Sequence, residues 1–178
     1  KVNYEFNIRD LFEDLPFLND GQVNNNYASS SNDCLKKLKI RDDEWNILTY
    51  NEARKVNNND KSIYKICIQN NGIKYKDLPT NLIKHNNKES FSDRFKVVEY
   101  NKPCQTMVAH ISKDGHHYIH PDIKQCRSIT VREAARIQSF PDDYYFESSR
   151  TSAFKQIGNA VPVLMADIIA KKIEESLN

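Results

Sequence analysis

A cysteine wedged between a proline and a glutamine, Cys104 in "NKPCQTMVAH", is the residue best suited by type to covalent chemistry. Proline can fix a turn, and a thiol presented on a turn becomes a nucleophile when its pKa is lowered. The histidines at 110, 116, 117 and 120, with Cys104 and Cys126, raise a zinc site instead. Their spacing lacks a CxxC pair or a clean Cys2His2 arrangement, and strand alternation sends His116 and His117 to opposite faces, so no metal site is predicted. The turn "QIGNAV" (156–161) offers a third chemistry. Gly158 lets a backbone approach a ligand, and the helix start beyond it offers N–H groups to an anion. A Gly-Asn helix cap with no ligand is the plainer alternative.

Composition narrows the classes. Four glycines, at 21, 72, 115 and 158, leave no GxGxxG or P-loop turn, which excludes nucleotide cradling by a Gly-rich loop. Four cysteines, at 34, 67, 104 and 126, form no dense framework and read as reduced thiols. The longest apolar stretch, "VPVLMADIIA", is too short to span a bilayer and contains Asp167. The net charge of +2 hides a gradient: residues 1–53 are acidic, 54–102 are basic, and 103–178 balance. A basic middle third suits a polyanion, with a lysine-rich solvated surface as the bland alternative. The asparagine excess reads as a mark of an AT-rich coding genome. The chain opens at Lys1 rather than a methionine, which reads as a fragment or a trimmed chain.

The elements that must position these residues are uneven in clarity. "YEFNIRDLFEDLP" predicts a short amphipathic helix ended by Pro16, and Asn19 to Asn32 a loop. "DCLKKLKIRDDEWNIL" is locally helical, whereas "SIYKICIQ" and "RFKVVEY" predict strands. "TMVAHI" and "HHYIHP" flank "SKDG", whose Asp114-Gly115 predicts a β-hairpin. Thr130 and Glu133 fit a capping box that opens a helix running toward Pro141. In the final helix Val161, Met165, Ile169, Ile173 and Leu177 repeat every four residues, with Leu164 and Ile168 widening the stripe. Pro162 fits its first turn and Asn159 its N-cap region. Little nearby can cover that stripe, so it is expected to pack on something outside the chain.

Two stretches are far more specific than composition. "RSITVREAARIQSFPDDY" (127–144) and "FKQIGNAVPVLMADIIA" (154–170) closely resemble the last two conserved blocks of bacterial DNA cytosine-5 methyltransferases, in the right order and at the right short gap. "DLP" at 14–16, "YKDLP" at 75–79 and "TMVAHISKDGHHYIHP" at 106–121 look like that family's target-recognition region and its exit. The family's cofactor turn, the Glu-Asn-Val acid block and QxRxR, which precede the recognition region, are not found.

The resemblance implies an α+β chain: a small mixed recognition domain with β-hairpins, plus C-terminal helices that complete a Rossmann-like methyltransferase domain. Residues 1–18 would be a linker helix from the catalytic domain, 19–126 the DNA target-recognition domain, and 127–178 C-terminal helices belonging to the catalytic domain. Thr106 resembles a position that touches the DNA backbone, although a threonine that simply favours strands is as good a reading. His110, Ser112, Lys113, Asp114 and His116 occupy what looks like a recognition loop, with Lys113 able to reach a phosphate or a guanine edge; a solvated hairpin is the dull alternative. Asn159, Ala160 and Val161 are implied to complete the S-adenosylmethionine pocket, held mainly by a missing N-terminal portion. Arg127, Arg132, Glu133 and Arg136 are read as scaffolding, through surface ion pairs that are individually weak.

Cys104 can then be judged. The family's nucleophile does sit in a Pro-Cys-Gln triplet, but upstream of the recognition region and followed by a Ser- and Gly-containing loop. Here the triplet lies downstream, runs into a predicted strand and lacks its partner acid. It is expected to be structural, and no residue of the chain is expected to be catalytic. The expected activity is methyl transfer from S-adenosylmethionine to cytosine C5 in a specific duplex site, by an assembly of this chain with an N-terminal catalytic portion or subunit, in a bacterial cytoplasm and a restriction–modification system. The chain alone is expected to be inactive. A stand-alone sequence-specific DNA-binding module is the rival reading.

Overall fold

Asparagine starts three of the helices. In a computed structural model of the chain, which describes residues 6–70, 72–83 and 93–177, Asn7 caps α1 (Ile8–Phe12), Asn32 caps α2 (Asp33–Lys37) and Asn57 caps α3 (Asn58–Gln69). Each side chain accepts a backbone N–H of the first turn that no helical carbonyl can reach. Part of the asparagine excess is therefore structural. Thr130 opens α4 (Val131–Ile137) through the expected box, with the Glu133 carboxylate accepting the Thr130 N–H at 2.7 Å. Ser149 caps α5 (Arg150–Asn159), and α6 (Val163–Leu177) closes the chain. The "KHNNK" stretch lies outside the described residues.

Three expectations are corrected, the first being "RFKVVEY", which keeps one isolated bridge at Val97 and is no strand. "SIYKICIQ" lies within α3 and is not a strand: Ile63, Tyr64 and Cys67 fall on one helical face and are the residues it buries. The run is short and its apolar positions fit both periods, so the Asn57 cap decides. Residues 106–121 form no hairpin either. A 3-10 turn occupies Ala109–Ser112, and Gly115 is pressed so closely on Ser128 that an added Cβ would collide with its side chain. That contact draws the segment onto 127–129 rather than back on itself. Isolated bridges remain, with Ile119 pairing with Val97 on one side and Ser128 on the other. Among the described residues the expected α+β chain is thus helical, with bridges in place of strands.

The larger apolar core joins Ile8 and Phe12 of α1, Val98, Met107, Tyr118 and the buried faces of α4 and α5. A smaller one gathers α3, Tyr75, Leu78, Phe95 and Cys126. The charged residues of α4 are not at the surface: Arg127, Arg132, Glu133 and Arg136 are all at most 1% exposed. Arg136 forks onto Asp142 (3.0 and 2.6 Å) and also grips Asp14, which Arg41 shares. Arg127 forks onto Glu133 at 2.8 and 2.7 Å. Burial alone would push the Glu133 carboxyl up, but the Arg127 charge and fork bring it down to about 2. These are desolvated pairs rather than the surface ones expected, and losing one partner of such a pair is expensive.

α6 behaves differently from α1 to α5. It buries no residue; Met165, Ile168, Ile169, Ile173 and Leu177 are between 45% and 82% exposed. No helix among the described residues is long and apolar enough to cross a membrane.

Candidate functional site

The segment that leaves Pro103 is tied down residue by residue. The Gln105 amide donates to the His117 carbonyl. The Tyr118 hydroxyl donates to the Thr106 carbonyl at 2.8 Å and accepts the Val108 N–H at 3.1 Å. Met107 turns into the core while Thr106 and Val108 face out. The 3-10 turn that follows packs on α5, with the two backbones meeting at Gly158. Thr106, singled out for DNA, and Ala160, singled out for the cofactor, therefore line one cavity.

Of the expected DNA-facing residues, Thr106, His110 and Lys113 are exposed and Ser112 is half-buried. His116 is not available. It is 9% exposed, its Nδ1 lies 2.8 Å from the Tyr64 hydroxyl and its ring packs 4.8 Å from that of Phe95. Burial lowers its pKa, which leaves a neutral core histidine. The Asp114 carboxylate, half-buried, accepts the His116 N–H at 3.1 Å and so helps aim that ring inward.

The turn expected to touch a cofactor is also rearranged. Gln156 to Asn159 form the last turn of α5, so Asn159 ends one helix and does not cap the next. The first N–H groups of α6 are already taken: Val163 donates to the Gln138 carbonyl and Leu164 to the Ser139 hydroxyl, each at 3.1 Å. Pro162 has no N–H. Those two N–H groups are therefore not offered to an anion. Gly158 serves a backbone approach, as expected, but the partner is protein rather than ligand.

Ala160 does face a cavity. A cleft of about 480 Å³ lies between the start of α1, the 103–107 segment and the α5–α6 junction, and Cys104, Thr106, Met107, Gln138, Ala160, Pro162 and Met165 line it. Gln138 braces the junction by donating its amide to the carbonyls of Ile157 and Ala160, both at 3.1 Å. Cys104 sits in this wall as a thiol: burial pushes its pKa up to about 12. A nucleophile needs the opposite shift. Sequence reasoning missed Tyr118 and Gln138, whose importance lies in which backbone groups they reach, and nothing in their type or spacing signals that.

The comparisons with known proteins decide the family. The family model described as C-5 cytosine-specific DNA methylase matches residues 5–175. The chain belongs to this family. It is 46% identical to the type II methyltransferase M.Bpa9945I of Bacillus paralicheniformis over an alignment that takes in all of this chain and 45% of the relative. It is 37% identical to the type II methyltransferase M.AgeI of Thalassovita gelatinovora, over 56% of this chain and 23% of that one. It is 40% identical to M.Sau96I of Staphylococcus aureus, over 46% and 18%. The methylase chain thus spans less than half the length of these curated relatives. The two blocks on which the resemblance rests, 127–144 and 154–170, supply α4, the second half of α5, the junction after it and the first half of α6, which frame the cleft.

Proposed function

We propose that this chain is the DNA-recognition and cofactor-pocket-completing portion of a DNA (cytosine-5-)-methyltransferase, and that it works with a catalytic portion such as the relatives' additional length provides. The observation that carries the reading is α6, a fifteen-residue helix with an apolar stripe and no buried residue, inside a family whose members are longer. A stripe of that size left in water is unfavourable and marks a surface made for another body. Met165 belongs both to the stripe and to the cleft, so one apolar surface runs from the helix into the cavity.

In the assembled enzyme Thr106, His110 and Lys113 would meet the duplex. A threonine hydroxyl and a lysine ammonium both suit phosphate oxygens, which position DNA without reading it. S-adenosylmethionine would supply the methyl group for cytosine C5. Ala160, Pro162 and Met165 suit its apolar parts, and the exposed Asn159 amide suits a polar one. The chain's own task is then to wall the cofactor site, hold the duplex and exclude water. Cys104, kept as a thiol, attacks nothing.

The test is co-expression of this chain with the part of the Bacillus paralicheniformis relative that it does not cover. The two should purify together and methylate duplex DNA, while neither does so alone. Cys104→Ser should leave the turnover of the assembly within about twofold, since the thiol is only part of a wall. Methylation by the isolated chain that vanished with Cys104→Ser would overturn the proposal.

A further inference from the structure

A single phenol holds the exposed Thr106 from beneath. Tyr118 is 2% exposed, and its hydroxyl bonds the backbone on both sides of Met107, to the Thr106 carbonyl and the Val108 N–H. The two bonds fix the peptide units that aim the Thr106 side chain outward, and Met107 anchors the same span in the core at 5% exposure. The neighbouring ties reinforce it: Gln105 to the His117 carbonyl just before, and Gly158 seated against Val108 and Ala109 just after. Burial raises the pKa of the Tyr118 phenol, so the hydroxyl keeps the proton it donates. A loop residue that grips a phosphate loses backbone and rotamer freedom on binding, and a backbone already fixed has less to lose.

We propose that Tyr118 is a positioning residue for DNA: without touching the duplex, its hydroxyl presets the Thr106 backbone so that the Thr106 side chain meets the DNA backbone at little entropic cost. The inference rests on the reading of Thr106 as a DNA contact. Tyr118→Phe removes the hydroxyl and keeps the buried ring, so it isolates this role.

The experiment uses the complete enzyme and a fluorescein-labelled duplex carrying the sequence that bisulfite sequencing shows it to methylate. Thr106→Ala should weaken DNA binding about tenfold, the loss of one hydrogen bond to a charged group. Tyr118→Phe should weaken it about three- to tenfold and leave the KM for S-adenosylmethionine unchanged. The double variant should bind no more weakly than Thr106→Ala, because nothing is left to position. Tyr118→Phe binding like wild type, or effects that multiply in the double variant, overturn the inference alone. A silent Thr106→Ala overturns the DNA reading of Thr106 and the inference with it. Melting curves accompany each variant. If Tyr118→Phe is unfolded at the assay temperature, Gln105→Ala cuts the adjacent tie in its place, with the same non-multiplying result expected and a multiplying one overturning the proposal.

Discussion

Gly158 and Ala109 touch backbone to backbone: a Cβ built on Gly158 would lie 2.5 Å from the Ala109 nitrogen and 2.6 Å from its Cα. Gly158 lies inside α5, where alanine would ordinarily gain about 1 kcal/mol of helix propensity. Here the obstructing atoms are main chain and cannot swing aside, so the two segments must separate. Overpacking of this kind costs about 1–3 kcal/mol and outweighs the propensity gain. Gly158→Ala should therefore lower Tm, measured by circular dichroism, and a rise in Tm would show that the contact is slack.

Arg136 serves two carboxylates at once, Asp142 through a fork and Asp14 beside it, all at most 1% exposed. Arg136→Met removes the cation and leaves Asp142 with the Tyr27 hydroxyl, which donates to it at 2.8 Å, and the more distant Arg132 at 3.5 Å, and Asp14 with Arg41. Breaking one side of a buried pair typically costs about 3–5 kcal/mol. A urea titration should show a loss in that range. A loss below about 1 kcal/mol would mean that Arg41, Arg132 and Tyr27 carry the carboxylates unaided.

The same residues show where the sequence is readable and where it is not. The Thr130–Glu133 box and the exposed stripe of α6 are local patterns, and the fold keeps both. The sequence of α3 reads as a strand because the apolar positions of an eight-residue stretch fit two periods, and its Asn57 cap lies outside that stretch. The hairpin was misread because the Gly115–Ser128 contact overrides the turn preference of Asp114-Gly115. Arg127, Arg132 and Arg136 look like surface charges until Asp14, Asp142 and Glu133 are seen around them, and Asp14 is more than a hundred residues away along the chain. Thr106, His110 and Lys113 are singled out through the family resemblance on an expected hairpin, and they are exposed although the hairpin is not there. Tyr118 is not singled out, because its value lies in two backbone groups it happens to reach.

Acid should unfold the chain through His120 and Glu133. Burial, with Arg127 beside it, holds the His120 ring neutral with its pKa lowered to about 4 from 6.5. Its Nδ1 accepts the Asp122 N–H at 3.1 Å, Phe12 and Tyr100 pack on the ring, and the Glu133 carboxylate lies 3.6 Å from Nε2. The unfolded chain binds this proton below pH 6.5 and the folded one does not until about 4, so stability falls as pH drops through that window. Glu133, lowered to about 2 from 4.5, extends the loss from about 4.5 downward in the same direction. Replacing His120 by Phe removes its share of the upper part of the slope, leaving that of His116 and His117. Urea midpoints between pH 7 and 4 should then be flatter for His120→Phe than for the parent, and parallel curves would place the proton uptake elsewhere.

The stripe of α6 separates folding from assembly. Ile169 is 45% exposed and Ile173 56% exposed, and neither belongs to a buried core cluster. A charge at either site meets water rather than protein within the chain, so Ile169→Glu or Ile173→Glu should change its stability by no more than about 0.5 kcal/mol. Against an apolar partner the same carboxylate is desolvated without a counter-charge, at several kcal/mol. Each kcal/mol is about a fivefold change in affinity, so association with the catalytic portion should weaken at least a hundredfold. Isothermal titration of the two portions, paired with melts of this chain alone, reads both quantities. A variant that melts normally and still binds its partner tightly would mean that the exposed face of α6 points to water in the assembled enzyme too, and the surface that joins the two portions would have to lie elsewhere on the chain.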